Sequence, residues 1–92
     1  MLNALNPKDL LCRYNSEPSA YIKMLILRAY TEQNPDARTR LRNMNDVLRK
    51  YVDETFHIEN DYIYSLDVRT FNIVPENYIA DADNFVSEEI AL

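Results

Sequence analysis

One stretch of sequence decides how this chain folds: AYIKMLILRAYTE, residues 20–32. Its apolar side chains would lie on nearly every side of a helix rather than on one face. A helix that is apolar nearly all round belongs in the middle of a hydrophobic core. Ser16 or Ser19 can cap its first turn, because a serine hydroxyl accepts a hydrogen bond from a backbone N–H group that has no partner in the helix. The sequence therefore predicts a central helix from Ala20 to about Glu32.

Two Asn-Pro pairs mark where the flanking helices start. Asn6 is followed by proline, and an asparagine cap with proline in the first turn is typical of a helix start. This signal predicts a short helix that ends at about Tyr14. Asn34 is also followed by proline, and apolar residues then recur at intervals of three and four. That spacing predicts a third, long helix over residues 36–53.

The hydrophobic pattern changes its period in the second half. In residues 62–69, Tyr, Leu and Val alternate with mostly polar side chains, which predicts a strand with one buried face. Residues 56–58 predict a preceding strand, joined by a hairpin at residues 60–61, because Asn and Asp accept the positive φ of a type I′ turn. Residues 71–74 predict a third strand, which Pro75 ends.

These elements together predict an α+β fold. Two or three N-terminal helices come first, followed by a small antiparallel sheet and an acidic C-terminal segment. Residues 83–92 of that segment can form a short helix, capped by Asp83 or Asn84. A chain of 92 residues has room for a single domain, residues 1–92.

Charge divides the chain into two unlike halves. Residues 1–50 contain nine basic and five acidic side chains, whereas residues 51–92 contain ten acidic side chains and one basic one, Arg69. The halves have formal charges of +4 and −9, which gives the net charge of −5. A field of one sign at one end of a small protein attracts a basic partner and repels nucleic acid and anionic membranes.

The acids of the second half are spread along the chain rather than gathered in one block. Duplex DNA has about one negative charge per ~1.7 Å of its axis, so spaced carboxylates on a rigid surface can take the place of phosphates. We expect this partner-binding role for ten residues: Asp53, Glu54, Glu59, Asp61, Asp67, Glu76, Asp81, Asp83, Glu88 and Glu89. The other explanation is an ordinary solvated acidic face that keeps the protein soluble, and such faces are common.

Positive charge is concentrated on the predicted third helix. The residues concerned are Arg38, Arg40, Arg42, Arg49 and Lys50. A helix that lies along nucleic acid would use them to contact phosphates, but the net charge of −5 opposes that approach. Pairing with acids of the same chain or of a second copy is the better explanation.

No residue pattern predicts an enzyme or a cofactor site. His57 is the only histidine, and no Ser or Cys nucleophile motif surrounds it. Cys12 is the only cysteine, so it has no internal disulfide partner, and we expect a small buried hydrophobe. A calcium loop counted from Asp81 needs glycine at its sixth position and an acid at its twelfth, where Val86 and Leu92 stand. We therefore expect no catalytic residue, no metal and no cofactor.

Composition narrows the functional classes further. The chain has no glycine, which excludes Walker-type phosphate loops and the dinucleotide-binding fingerprint. Its longest apolar run, Met24 to Leu27, is far too short to span a bilayer, and the N-terminus has no secretory signal. With one cysteine and no such signal, we expect a protein of a reducing cytoplasm.

As a whole, the chain is similar to the Arn family of anti-restriction DNA-mimic proteins from T-even coliphages. The similarity lies in the length, the richness in Asn, Asp, Tyr and Ile, the absence of glycine, and the acids gathered from Asp53 to Glu89. This resemblance implies a non-enzymatic early phage protein that forms a homodimer and presents DNA-like negative charge. The targets that it implies are host DNA-binding proteins: a restriction nuclease of the McrBC type or a nucleoid protein of the H-NS type.

The predicted function is therefore an acidic inhibitor that mimics DNA and occupies the DNA-binding site of a host protein, in the host cytoplasm. One alternative is a structural or adaptor module that binds a partner through an apolar or tyrosine-lined surface, and such an interface would respond little to salt. Another is a small regulator that binds DNA through the third helix, and it would shift duplex DNA in a gel.

Overall fold

The computed structural model describes residues 5–56 and 74–92, and every regular element within these ranges is a helix. The helices are α1 (Pro7–Ser16), α2 (Ala20–Gln33), α3 (Pro35–Met44), α4 (Asp46–Thr55) and α5 (Glu76–Ile90). The predicted α+β fold class is therefore wrong: the described part of the chain is all-helical and contains no strand. Most of the predicted sheet falls on residues 57–73, which lie outside the described residues.

The described residues form one core that contains no strand. Buried apolar side chains from all five helices form one cluster, and Phe56 and Val74 join it from the ends of the described ranges. Both residues fall in segments for which the sequence predicts strands. Phe56 instead follows the last turn of α4, where its backbone N–H donates to the carbonyl of Val52 at 3.2 Å. These two residues therefore extend a core that the described helices form.

Helix α2 lies at the centre of the bundle, as predicted. It contacts each of the other four helices, and Met24, Leu25, Ile26 and Leu27 are all buried. Four consecutive buried residues span more than one turn, so α2 has core on every side at this level.

The predicted helix starts are confirmed by their cap hydrogen bonds. Asn6 Oδ1 accepts from the backbone N–H of Asp9 at 2.9 Å, and Asn34 Oδ1 accepts from that of Ala37 at 3.3 Å. Of the two candidate serines, Ser19 is the cap of α2. Each contact satisfies a backbone donor in the first turn, which has no partner within the helix.

The predicted long third helix is two helices, α3 and α4, separated at Asn45. This residue has extended backbone angles (φ −159°, ψ 92°), and its Oδ1 accepts from the Leu48 N–H at 3.0 Å. Asparagine competes with the helix for backbone hydrogen bonds, so it favours a new start over continuation. The apolar spacing runs through the break, and for that reason periodicity alone did not reveal it.

The C-terminal helix is longer than predicted. Helix α5 begins at Glu76, directly after Pro75, so Asp83 and Asn84 lie in its middle and do not cap it. The fixed φ of proline suits a helix start. Ala82, Phe85 and Val86 follow at helical spacing and are buried, which holds one face of α5 against the bundle.

Candidate functional site

Glu89, a predicted partner-binding acid near the end of α5, is buried in the interior. Its side chain is 2% exposed. Arg40 of α3 donates to both carboxylate oxygens, from Nε and Nη2, each at 2.7 Å. The hydroxyl of Tyr30 in α2 donates to Oε1 at 2.6 Å. One carboxylate thus joins three helices through charge-assisted hydrogen bonds.

These hydrogen bonds shift the pKa values of Glu89 and Tyr30. Burial opposes ionisation of Glu89, but the hydrogen bonds from Arg40 and Tyr30, with the arginine charge, outweigh it and lower the pKa of Glu89. Burial of Tyr30, together with its hydrogen bond to the carboxylate and the carboxylate's charge, raises the pKa of Tyr30 to about 12. Glu89 is therefore ionised and Tyr30 is neutral at physiological pH.

Asp83 makes a second contact between α5 and the bundle. The buried Tyr14 of α1 donates from its hydroxyl to Oδ1 at 2.8 Å, and Nζ of Lys23 lies 3.5 Å from the same oxygen. Burial and the neighbouring carboxylate raise the pKa of Tyr14 well above its usual range. The carboxylate of Asp83 therefore positions α5 against α1 and α2.

Asp53, near the end of α4, is surrounded by arginines. Its carboxylate lies 2.7 Å from Nη2 of Arg38, 3.0 Å from Nη1 of Arg49 and 3.7 Å from Nη1 of Arg28. Arg28 also donates to the backbone carbonyl of Asp53, a group that the last turn of a helix leaves without an intrahelical partner. The three guanidinium groups reduce the negative field that this acid adds at the surface.

Most basic residues of the predicted third helix pair with acids of the same chain, as expected. Arg38, Arg40, Arg49 and Lys50 each lie within 4 Å of a carboxylate. Arg42 is exposed and makes no ion pair with any residue of the described ranges.

The ten predicted partner-binding acids therefore separate into groups. We call Asp53, Asp83 and Glu89 the compensated acids, because a cation of another helix lies within 4 Å of each. We call Glu76, Asp81 and Glu88 the uncompensated acids, because no cation of the described ranges forms an ion pair with them. Glu54 is exposed in the last turn of α4. The other three, Glu59, Asp61 and Asp67, lie outside the described residues.

Two of the uncompensated acids line a cleft where α5 faces the junction of α3 and α4. The cleft has a volume of about 470 Å³ and is formed by Met44, Asn45, Asp81, Asn84, Ser87 and Glu88. Nδ2 of Asn45 donates to Oδ2 of Asp81 at 2.7 Å, while its Oδ1 caps α4. The helix break at Asn45 thus creates the cleft wall and fixes one carboxylate in it.

Cys12 is exposed, so the expectation of a buried cysteine is wrong. Helix α1 buries Leu10, Leu11 and Tyr14, and these form one face at the spacing of three and four. Cys12 lies outside that face. His57, the only histidine, falls outside the described residues.

No group of three or more His, Cys, Asp or Glu side chains suited to holding a metal ion occurs in the described ranges. No helix in the same part of the chain is long and apolar enough to cross a membrane.

In comparisons with protein-family models, with curated protein sequences and with solved structures, nothing matched this chain.

Sequence reasoning missed the residues that compensate the acids. Tyr14 and Asp83 are 69 positions apart, and Tyr30 and Glu89 are 59 apart, so no local spacing links them. The break at Asn45 did have a local signal, because Asn followed by Asp is typical of a helix start. Applied inside the apolar periodicity, that signal would have separated α3 from α4.

Proposed function

We propose that this protein is a non-enzymatic inhibitor that mimics DNA and occupies the DNA-binding site of a basic host protein. The main support is that Glu76, Asp81 and Glu88 are presented on one helix without a compensating cation in the described ranges. A helix packed into a core holds its charges at fixed spacing, as a DNA backbone does. The compensated acids belong to the fold, and their cations reduce what they add to the outer field.

The physical basis of binding is exchange of counterions. A basic DNA-binding surface and an acidic protein each hold ions that are released when the two surfaces join. Salt weakens this exchange and also shortens the range of attraction, to about 8 Å at physiological ionic strength. Affinity for the target should therefore fall steeply as salt rises.

The target class comes from the resemblance to the Arn family. It is a McrBC-type restriction nuclease or an H-NS-type nucleoid protein, met in the host cytoplasm. Neither free nucleic acid nor a membrane is a partner, because both have the same charge sign as this chain.

A homodimer is part of the proposal. The longest dimension of the described part of one protomer is 32 Å, which is about one turn of duplex DNA, ~34 Å. Two copies related by a twofold axis would double the length of the acidic track. Sedimentation equilibrium at micromolar concentration tests this, and a strict monomer throughout that range would contradict it.

The function is tested by competition for a target. Labelled duplex is bound to an H-NS-type protein, and in a second series to a McrBC-type nuclease, and the chain is added at two salt concentrations. We expect displacement of the duplex that weakens markedly at the higher salt. The chain alone should leave the duplex unshifted in a gel, and a shift would instead indicate a DNA-binding regulator.

An adaptor module is the second candidate, and one observation favours it. Four large apolar side chains are exposed in the described ranges: Met44, Val47, Ile90 and Leu92, at 38%, 62%, 50% and 78%. An interface built on them would bind through burial of apolar surface. Binding to a partner that is indifferent to moderate salt would support this candidate against mimicry.

A further inference from the structure

We infer that the cleft beside Asn45 binds an extended basic segment of the partner, with two arginines three residues apart. This inference rests on the proposed function and specifies the chemistry that the partner presents to it. The cleft is formed by α5 on one side and the α3–α4 junction on the other, and its volume of about 470 Å³ is within the range of ligand pockets in proteins.

The polar groups of the cleft are suited to a donor-rich cation. Asp81, Asn84, Ser87 and Glu88 all present oxygen atoms that accept hydrogen bonds. A guanidinium group has five N–H donors and no acceptor, in a fork that matches a carboxylate. The contact from Asn45 occupies only Oδ2 of Asp81, and no described residue hydrogen-bonds to Oδ1.

The spacing of the two carboxylates selects an extended segment. Asp81 and Glu88 are seven positions apart and lie on the same side of α5, since seven residues make nearly two turns. The separation along the axis is ~10.5 Å at 1.5 Å per residue. An extended segment in the polyproline II conformation covers a similar distance, ~9.3 Å, in three residues at ~3.1 Å each, and its three residues per turn place residues i and i+3 on the same side. Two arginines separated by two residues can therefore meet both carboxylates.

The apolar part of the cleft suits the rest of an arginine side chain. Met44 is 38% exposed and lines the cleft, and its flexible thioether packs against varied shapes. The methylene stem of arginine covers apolar surface while its charged end stays solvated. A small metal ion is a poorer fit, because two carboxylates ~10.5 Å apart along a helix cannot both bind one ion directly.

The test is a titration of the full chain, labelled with ¹⁵N, with the peptide acetyl-Arg-Ala-Ala-Arg-amide. We expect amide shifts confined to the cleft, at Asp81, Asn84, Ser87 and Glu88. Two matched peptides serve as controls: one with citrulline in place of both arginines, which removes the charge, and one with the arginines adjacent, which changes the spacing. Both should bind more weakly.

Variants locate the contact. Asp81→Asn with Glu88→Gln should weaken binding of the arginine peptide by roughly 2- to 30-fold, on summing two exposed ion pairs. The matched control Asp36→Asn removes an equal charge from the exposed first turn of α3, at a residue that does not line the cleft, and should bind like the wild type. Asp81→Asn keeps an acceptor for Asn45, and Glu88→Gln alone changes no hydrogen bond described above, so both should fold.

Three results would overturn the inference: equal binding of the citrulline peptide, shifts spread over acids outside the cleft, or unchanged affinity of the double variant. The titration uses neither DNA nor a target protein. If the titration fails but the chain still displaces duplex from its target, the cleft proposal is rejected and the DNA-mimic proposal stands. If the titration succeeds but the chain does not displace duplex, the DNA-mimic proposal is rejected and the cleft remains as a binding site for basic peptides.

Discussion

Glu88 and Glu89 are neighbours in sequence with opposite environments. Glu88 is exposed and lines the cleft, whereas Glu89 is buried and held by Arg40 and Tyr30. A step of one residue turns a helix by about 100°, from its outer face to its inner face. The formal charge of a sequence therefore says little about the electric field at its surface, because some charged side chains pair in the interior and hold helices together.

The inner face of α5 is stabilised by its acids, and replacing Glu89 should have the largest effect on stability. Glu89→Ala removes the hydrogen bonds that Arg40 and Tyr30 donate to the carboxylate. A hydrogen bond to a charged group contributes ~1.5–3 kcal/mol, and the free energy of unfolding should fall by at least the value of one such bond. The measurement is urea unfolding followed by circular dichroism. The matched control is Glu88→Ala, which should stay within ~0.5 kcal/mol of the wild type. Equal losses for the two variants would contradict the contrast between the faces.

The second-largest effect is expected at alkaline pH, which should lower the free energy of unfolding by ionising Tyr30 on the side of α2 that faces Glu89. The pKa of Tyr30 is raised from 10.0 to about 12 in the folded chain. The stability that Tyr30 adds to the folded chain is therefore fully present below the unfolded pKa and is lost as the pH rises from 10 towards 12. The loss should be up to ~1.4 kcal/mol per pH unit.

Tyr30→Phe is the control for that prediction. The variant should be less stable than the wild type at pH 7, because Glu89 loses a donor, but it should lose less stability between pH 10 and 12. Unfolding midpoints measured at both ends of that interval test the difference. Parallel pH profiles for the two proteins would show that Tyr30 does not titrate as described.

The junction between α3 and α4, which forms one side of the cleft beside the outer face of α5, depends on Asn45. Asn45→Ala removes the cap of α4 and the contact with Asp81, and losing the cap alone costs about 1 kcal/mol. Asn45→Asp is the comparison, since aspartate also caps helices but would repel Asp81. Thermal unfolding measures both. An alanine variant as stable as the wild type would indicate that α3 and α4 join into one helix without penalty.

The smallest effect is expected at Cys12. It is exposed on α1, outside the buried face, so Cys12→Ser should change the free energy of unfolding by less than ~0.5 kcal/mol and should leave target binding intact. Unfolding and competition assays on the same preparation test both points. A folded variant without target binding would reveal a role for the thiol.

The helical half of the fold was predictable because its signals are local. The caps Asn6, Ser19 and Asn34 and the all-round apolar pattern of α2 act within one or two turns. The fold class was not predictable in the same way, because Phe56 and Val74, which fall in predicted strands, pack into the helical core instead.

The candidate site was predictable only in its composition. Counting carboxylates identified the C-terminal segment as acidic, and charge balance predicted that the arginines of the third helix pair with acids of the same chain or of a second copy. Which acids remain uncompensated depends on contacts between distant positions, such as Tyr14 with Asp83. Those contacts follow from how the helices pack, which no local pattern encodes.

The central claim is that the outer acids of α5, and not its total charge, bind the target. The direct measurement is competition with labelled duplex by the variant Glu76→Gln, Asp81→Asn, Glu88→Gln, at low and moderate salt. We predict a loss of affinity of roughly 3- to 150-fold, on summing three exposed pairs, and a weaker dependence on salt. Arg42→Gln, which removes a cation without an ion pair in the described ranges, should compete equally or slightly better. If the triple variant displaces duplex as well as the wild type at low salt, the acids are only a solvated face and the claim is wrong.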